Sequence, residues 1–100
     1  MINHRGPEYA EMLDQMSANL KTVFMTNNDV YFITASGTGA MEAALVNTIS
    51  SGDKVLAIII GVFGERFAEI AEAYGADVDR LDFELGNAAD LDAVRESIRK

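Results

Sequence analysis

Apolar positions recur at spacings of three and four between residues 7 and 25. Tyr9, Met12, Leu13, Met16, Leu20, Val23 and Phe24 therefore share one face of a predicted helix. Pro7 suits its first position, because the amide that proline lacks has no partner there. Asn27-Asn28-Asp29 is a turn cluster. The pattern then becomes continuous. Val30 to Thr34 is β-branched and aromatic, which predicts a strand buried on both faces. Thr38 to Ile49 is helical and is ended by Ser51-Gly52-Asp53. Lys54 to Ile60 has no polar residue after its first position and predicts a second buried strand. Gly61-Val62-Phe63-Gly64 reads as a loop. Glu65 to Tyr74 reads as a helix with Phe67, Ile70, Ala71 and Tyr74 on one face. Gly75 stands where a left-handed cap belongs. Val78 to Phe83 is a weaker third strand, and its charges at Asp79, Arg80 and Asp82 predict an edge. Asp90 is a good N-cap for a last helix carrying Leu91, Val94 and Ile98.

The predicted order is α-β-α-β-α-β-α. Such alternation implies an α/β fold with parallel strands and helical crossovers. The length of 100 residues allows one domain, or a piece of one, over residues 1–100. A hydrophobic content of 49% and a mean hydropathy of +0.07 are too apolar for disorder. A net charge of −8 argues against a nucleic-acid surface, which needs a basic face. The absence of cysteine removes disulfides and thiol catalysis, and the single histidine, His4, cannot form a zinc cluster without several carboxylates. The longest apolar run, Val55 to Ile60, is too short to cross a membrane. Met1-Ile2-Asn3-His4-Arg5 leads into Gly-Pro rather than an apolar stretch, so no signal peptide is expected and the predicted location is cytoplasmic.

The chemistry-bearing stretch is Ser36-Gly37-Thr38-Gly39-Ala40, between a predicted strand and a predicted helix. A helix N-terminus leaves amides unpaired and carries partial positive charge. Small residues let an anion approach, and two hydroxyls add donors. A phosphate site is the functional reading; a tight turn that binds nothing is the alternative. The spacing fails the P-loop pattern, because no Gly-Lys-Ser/Thr follows. It half fits the dinucleotide fingerprint: Gly37 and Gly39 match, but Glu42 occupies the third glycine position. The second strand also ends Ile59-Ile60-Gly61, without an acidic residue for a ribose, so NAD is disfavoured. Phe63 lies between two glycines just after that strand. Its ring could stack on a flat ligand, or simply staple the following helix.

Taken together, "SGTGAMEAALVN", "SGDKVL" and "GVFGERFAEIAEAYGADV" resemble the class V aminotransferases, pyridoxal-phosphate (PLP) enzymes of fold type I. The similarity is greatest to the alanine–glyoxylate and serine–pyruvate aminotransferase group, and "NHRGPEYAEML" fits as well. The resemblance runs over essentially the whole chain and implies roles for particular positions. Thr38, Gly39 and Ala40 match the segment that wraps the cofactor phosphate. Phe63 matches the aromatic, more often tryptophan, that stacks on the pyridine ring. Arg5 matches an arginine that contacts the substrate's anionic group in the related phosphoserine aminotransferases; a surface or interface ion pair is its plainer role.

The resemblance also implies small amino acid and 2-keto acid substrates, and a homo-oligomer with neither nucleic acid nor membrane as partner. The lysine that binds the cofactor covalently, and the aspartate that pairs with the pyridine nitrogen, fall beyond the matched region. Lys21, Lys54 and Lys100 match neither. The chain thus looks like the N-terminal part of a large cofactor-binding domain, inactive alone. The rival reading is an independent α/β module that binds a phosphorylated ligand or a partner protein. In fold type I enzymes the first strand lies at one side of a seven-stranded sheet, away from the second and third. The expectation is therefore that 30–34 lacks its neighbours here, and that the chain either rewires its sheet or self-associates.

Overall fold

A computed structural model describes residues Ile2–Arg99. The chain divides after Thr34 into two compact units. Met1 and Lys100, both singled out above, lie outside the described residues.

The first unit is built on α1 (Pro7–Val23), with Pro7 in its first turn as expected. Its C-terminus closes in a Schellman motif. The Thr26 amide donates to the Lys21 carbonyl at 3.0 Å and the Met25 amide to the Thr22 carbonyl at 3.3 Å. The motif needs a left-handed residue, and Met25 takes that role at φ 51°. An ion pair of 3.5 Å between Lys21 and Asp29 spans the turn. No residue of α1 is buried.

Residues 30–34 form no strand, which corrects the first predicted β element. Tyr31 is 81% and Ile33 58% exposed, so burial on both faces fails too. The physical reason is pairing. An extended segment becomes a strand only when a neighbour takes its backbone donors and acceptors, and none of the backbone hydrogen bonds outside helices and strands involves residues 30–34.

The second unit carries the parallel α/β character. It comprises α2 (Gly37–Val46), β1 (Lys54–Ile59), α3 (Val62–Ala73), β2 (Asp77–Asp82) and α4 (Leu91–Ile98). The strands pair in parallel, with Lys54 opposite Asp77 and Ile59 opposite Asp82, and α3 makes the crossover. The α/β class holds, while the order runs α-α-β-α-β-α. With two strands in the sheet, both β1 and β2 are edges.

Alternation sets the core. Ala57 and Ile59 of β1 are buried with Ala68 of α3, and Val78 of β2 packs against them. Ala68 and Ala71 are fully buried, yet no large side chain among the described residues is. The shortage of bulk is offset by close approach. A Cβ on Gly64 would lie 2.9 Å from the Ile58 carbonyl oxygen and 3.1 Å from Ile59 Cα, so glycine lets α3 press on β1.

Boundaries follow local chemistry. α2 ends at Val46, before the expected Ile49, because the Asn47 and Thr48 side chains take the carbonyls of Ala43 and Ala44 at 2.7 and 2.8 Å. Gly75 has the expected left-handed conformation at φ 83°. Asp90 caps α4 as expected, its carboxylate accepting from the Asp92 amide at 2.9 Å. α3 starts at Val62, so Phe63 and Gly64 belong to its first turn rather than to a loop. Glu65 falls in that turn too, where the helix dipole favours a carboxylate.

Candidate functional site

The Ser36–Ala40 stretch opens α2. Ser36 is the N-cap; its hydroxyl accepts weakly from the Gly39 amide at 3.4 Å. The Ala40 amide makes the first intrahelical bond, to the Ser36 carbonyl at 3.1 Å. Among the described residues the Gly37 and Thr38 amides have no partner. Two free donors and the Thr38 hydroxyl therefore stand at the positive end of the α2 dipole, in a solvent-exposed turn.

The two glycines differ. A Cβ on Gly37 would meet nothing within 4 Å, so the space beside the free amides is open. A Cβ on Gly39 would fall 2.7 Å from Ala35 Cβ. Glycine at 39 is thus required by the turn itself, whatever the turn binds. Sequence alone gives no sign of this second cause.

Phe63 is the second residue of α3 and is 74% exposed. It stands where β1 ends and α3 begins, in a shallow depression lined by Ile58, Ile60, Gly61, Val62 and Gly64. An aromatic ring left in water costs apolar burial, so its exposure is not explained by stapling alone. Between α2 and α3 the recorded side-chain hydrogen bond runs from the Tyr74 hydroxyl to the Glu42 carboxylate. It does not join Phe63 to the α2 opening. The Glu42 hydrogen bond, and then its charge, raise the Tyr74 phenol above its ordinary value. Arg5 belongs to the first unit; its amide donates to Asn3 Oδ1 at 3.1 Å. Its side chain makes no ion pair among the described residues.

Sequence reading missed the polar ties. Arg80 was read only as an interruption of an edge strand. In the structure it bonds both Glu65 and Glu72 of α3. The signal was available: the two carboxylates are seven residues apart in a helix followed directly by a strand bearing a lone arginine. No group of carboxylates and histidine among the described residues is arranged to hold a metal ion. No helix there is long and apolar enough to cross a membrane.

No protein-family model matches the chain. Individual proteins do. An uncharacterized aminotransferase of Methanocaldococcus jannaschii is 48% identical over all 100 residues, which cover 26% of that relative. The soluble hydrogenase 42 kDa subunit of Anabaena cylindrica is 37% identical over 98% of this chain and 26% of its own. Other relatives bear the names alanine–glyoxylate, aspartate–glyoxylate and serine–glyoxylate aminotransferase. Among solved structures, alanine–glyoxylate aminotransferase from Nostoc sp. superposes with a TM-score of 0.88 at 31% identity, covering 98% of this chain and 26% of that one. The chain thus spans about a quarter of the length of the relatives it matches.

Proposed function

We propose that residues 1–100 are the N-terminal part of the large, PLP-binding domain of a class V, fold type I aminotransferase, because the structural neighbours of this chain and most of the relatives named above are aminotransferases, matched over about a quarter of their length. The carrying observation is the α2 opening: two unpartnered amides at a helix N-terminus with open space beside Gly37. That donor set suits a phosphate dianion. Thr38, Gly39 and Ala40 would hold the cofactor phosphate, with the Ser36 and Thr38 hydroxyls beside them. Phe63 would offer its ring face to the pyridine. It keeps the π-face of the commoner tryptophan but has no N–H to donate. Arg5 would contact an anionic group of the substrate.

Bound PLP supplies an electron sink for chemistry at the carbon bearing the amino group. The residues of this chain orient that cofactor. The substrates would be a small amino acid of the alanine or serine type and a 2-keto acid such as glyoxylate or pyruvate. The assembly would be a homo-oligomer in the cytoplasm. The name of the hydrogenase subunit does not redirect this reading, because the solved structure and the other relatives named above are aminotransferases.

The test uses two substitutions in the natural polypeptide that carries this segment. Thr38→Ala should weaken PLP binding about tenfold, the loss of one hydrogen bond to a charged group, with the thermal midpoint of the apoprotein unchanged. Gly37→Val should weaken it at least as much, by filling the open space beside the amides. Unchanged cofactor affinity in both would defeat the assignment. The 100-residue chain mixed with PLP, an amino acid and a keto acid should show no turnover above that of free PLP. Turnover well above it would contradict the view that the reaction needs residues outside this segment.

A further inference from the structure

α3 presents Phe63, and what orients α3 therefore orients Phe63. Its buried residues are Ala68 and Ala71. Methyl groups let the helix lie near the sheet, but they interdigitate little with it and so resist rolling poorly. Gly64 sets the approach at the N-terminal end, 2.9 Å from Ile58 O for an added Cβ. It fixes a distance, not a rotation.

The rotation is fixed from β2. Arg80 stands in register with Ala57 and reaches α3. Its Nε and one terminal nitrogen donate to the two Glu72 carboxylate oxygens at 2.9 and 3.2 Å, a two-pronged fork. The other terminal nitrogen donates to Glu65 Oε1 at 2.5 Å. Glu65 and Glu72, about two turns apart, share one side of the helix. Phe63 lies two residues before Glu65, about 200° around the axis and so on the opposite side. A roll released at the carboxylates therefore swings the ring.

We infer that Arg80, acting through Glu65 and Glu72, is a positioning residue for Phe63: it locks the roll of α3 and so sets the plane in which the aromatic ring meets a flat cofactor. This rests on the reading of Phe63 as the stacking residue. Isolated surface ion pairs contribute little, but a two-pronged arginine shared by a second carboxylate is the geometry in which a surface network does hold position. Lysine cannot reproduce it, being a point charge without the planar fork. The Glu72 hydrogen bond, then that to Glu65, raise the guanidinium above its already high ordinary value, so the cation persists at every working pH.

The chain contains no tryptophan, so Phe63→Trp introduces a single fluorescent reporter at the ring itself. The natural polypeptide that carries this segment, with Phe63→Trp and any tryptophan outside residues 1–100 replaced by phenylalanine, is compared with the same protein also carrying Arg80→Met, Arg80→Lys or Glu65→Gln. Time-resolved anisotropy reads the local motion of the indole, and added PLP reads its stacking by quenching. Arg80→Met should raise the fast local amplitude about twofold and weaken quenching by PLP about tenfold, with far-UV circular dichroism unchanged. Arg80→Lys should behave like Arg80→Met. Glu65→Gln, which leaves the Glu72 fork intact, should fall between and carries the test if Arg80→Met does not fold. Local motion unchanged in both folded variants overturns the lock. An indole that loosens on Arg80→Met yet is never quenched by PLP supports the lock and overturns the stacking reading instead.

Discussion

Val30–Thr34 and Lys54–Ile59 carry nearly the same message: short, apolar, rich in β-branched residues. The second is the centre of its unit's core, with Ala57 and Ile59 at 8% and 7% exposure. The first is no strand, and Ile33 is 58% exposed. The difference is not in the side chains. β1 finds β2 after one crossover helix, and α3 covers a face of the pair. Residues 30–34 find no backbone partner among those described. Apolar continuity specifies that a segment is suited to a sheet interior; pairing decides whether it occupies one.

The largest effect expected from this contrast is association. An unpaired apolar segment is a template for a second chain. At micromolar concentration the 100-residue chain should scatter light as a dimer or larger species, and Tyr31→Lys with Ile33→Lys should return it to a monomer. A cooperatively melting monomer of the unaltered chain would break the comparison, because 30–34 would then be stable without pairing.

A matched pair of truncations comes next. Ile59→Ala should destabilise the fold by about 2–5 kcal/mol, the cost of emptying a buried isoleucine site. Ile33→Ala should change stability by no more than about 0.5 kcal/mol, as for an exposed position. Chemical denaturation of both measures the difference, and equal losses would mean that 30–34 is buried in solution. Gly64→Ala should cost about 1–3 kcal/mol, because its Cβ meets backbone rather than a side chain that can move away. Gly37→Ala, facing open space, should cost no more than the ordinary variation at a surface site. The pair separates a glycine held by packing from one that faces open space.

How far these features could be read from the sequence follows the same line. Features set by neighbours along the chain were legible: Pro7 opening α1, Gly75 in its left-handed cap, Asp90 capping α4, and a helix opening expected at Thr38, one residue from its start at Gly37. Features set by contacts across the chain were not. Gly39 is needed because of Ala35, Gly64 because of the Ile58–Ile59 backbone, and Arg80 because of two carboxylates on another element. The start of α3 was misplaced by three residues because Gly61 and Gly64 read as loop punctuation. One glycine caps the helix and the other packs it. The roles of Thr38 and Phe63 came from resemblance to a family, since local pattern left a bare turn and a staple open.

The smallest effect concerns the polar tie between α2 and α3. The phenol of Tyr74 donates to Glu42, so folding favours its protonated form and raises it above about 10. The stabilisation is fully present below the unfolded value and is lost as pH rises through the folded one. Unfolding midpoints measured from neutral pH to above pH 10 should therefore fall more steeply for the unaltered chain than for Tyr74→Phe. Identical slopes would remove the tie from the account.

The central claim is that the α2 opening cradles the phosphate of PLP. The most direct measurement is a crystal structure of the natural polypeptide carrying this segment, grown with PLP. The account predicts phosphate oxygens about 2.7–3.2 Å from the amide nitrogens of residues 37 and 38, with the Phe63 ring stacked against the pyridine. PLP bound with its phosphate elsewhere, and the residue 37 and 38 amides facing only water, would contradict it.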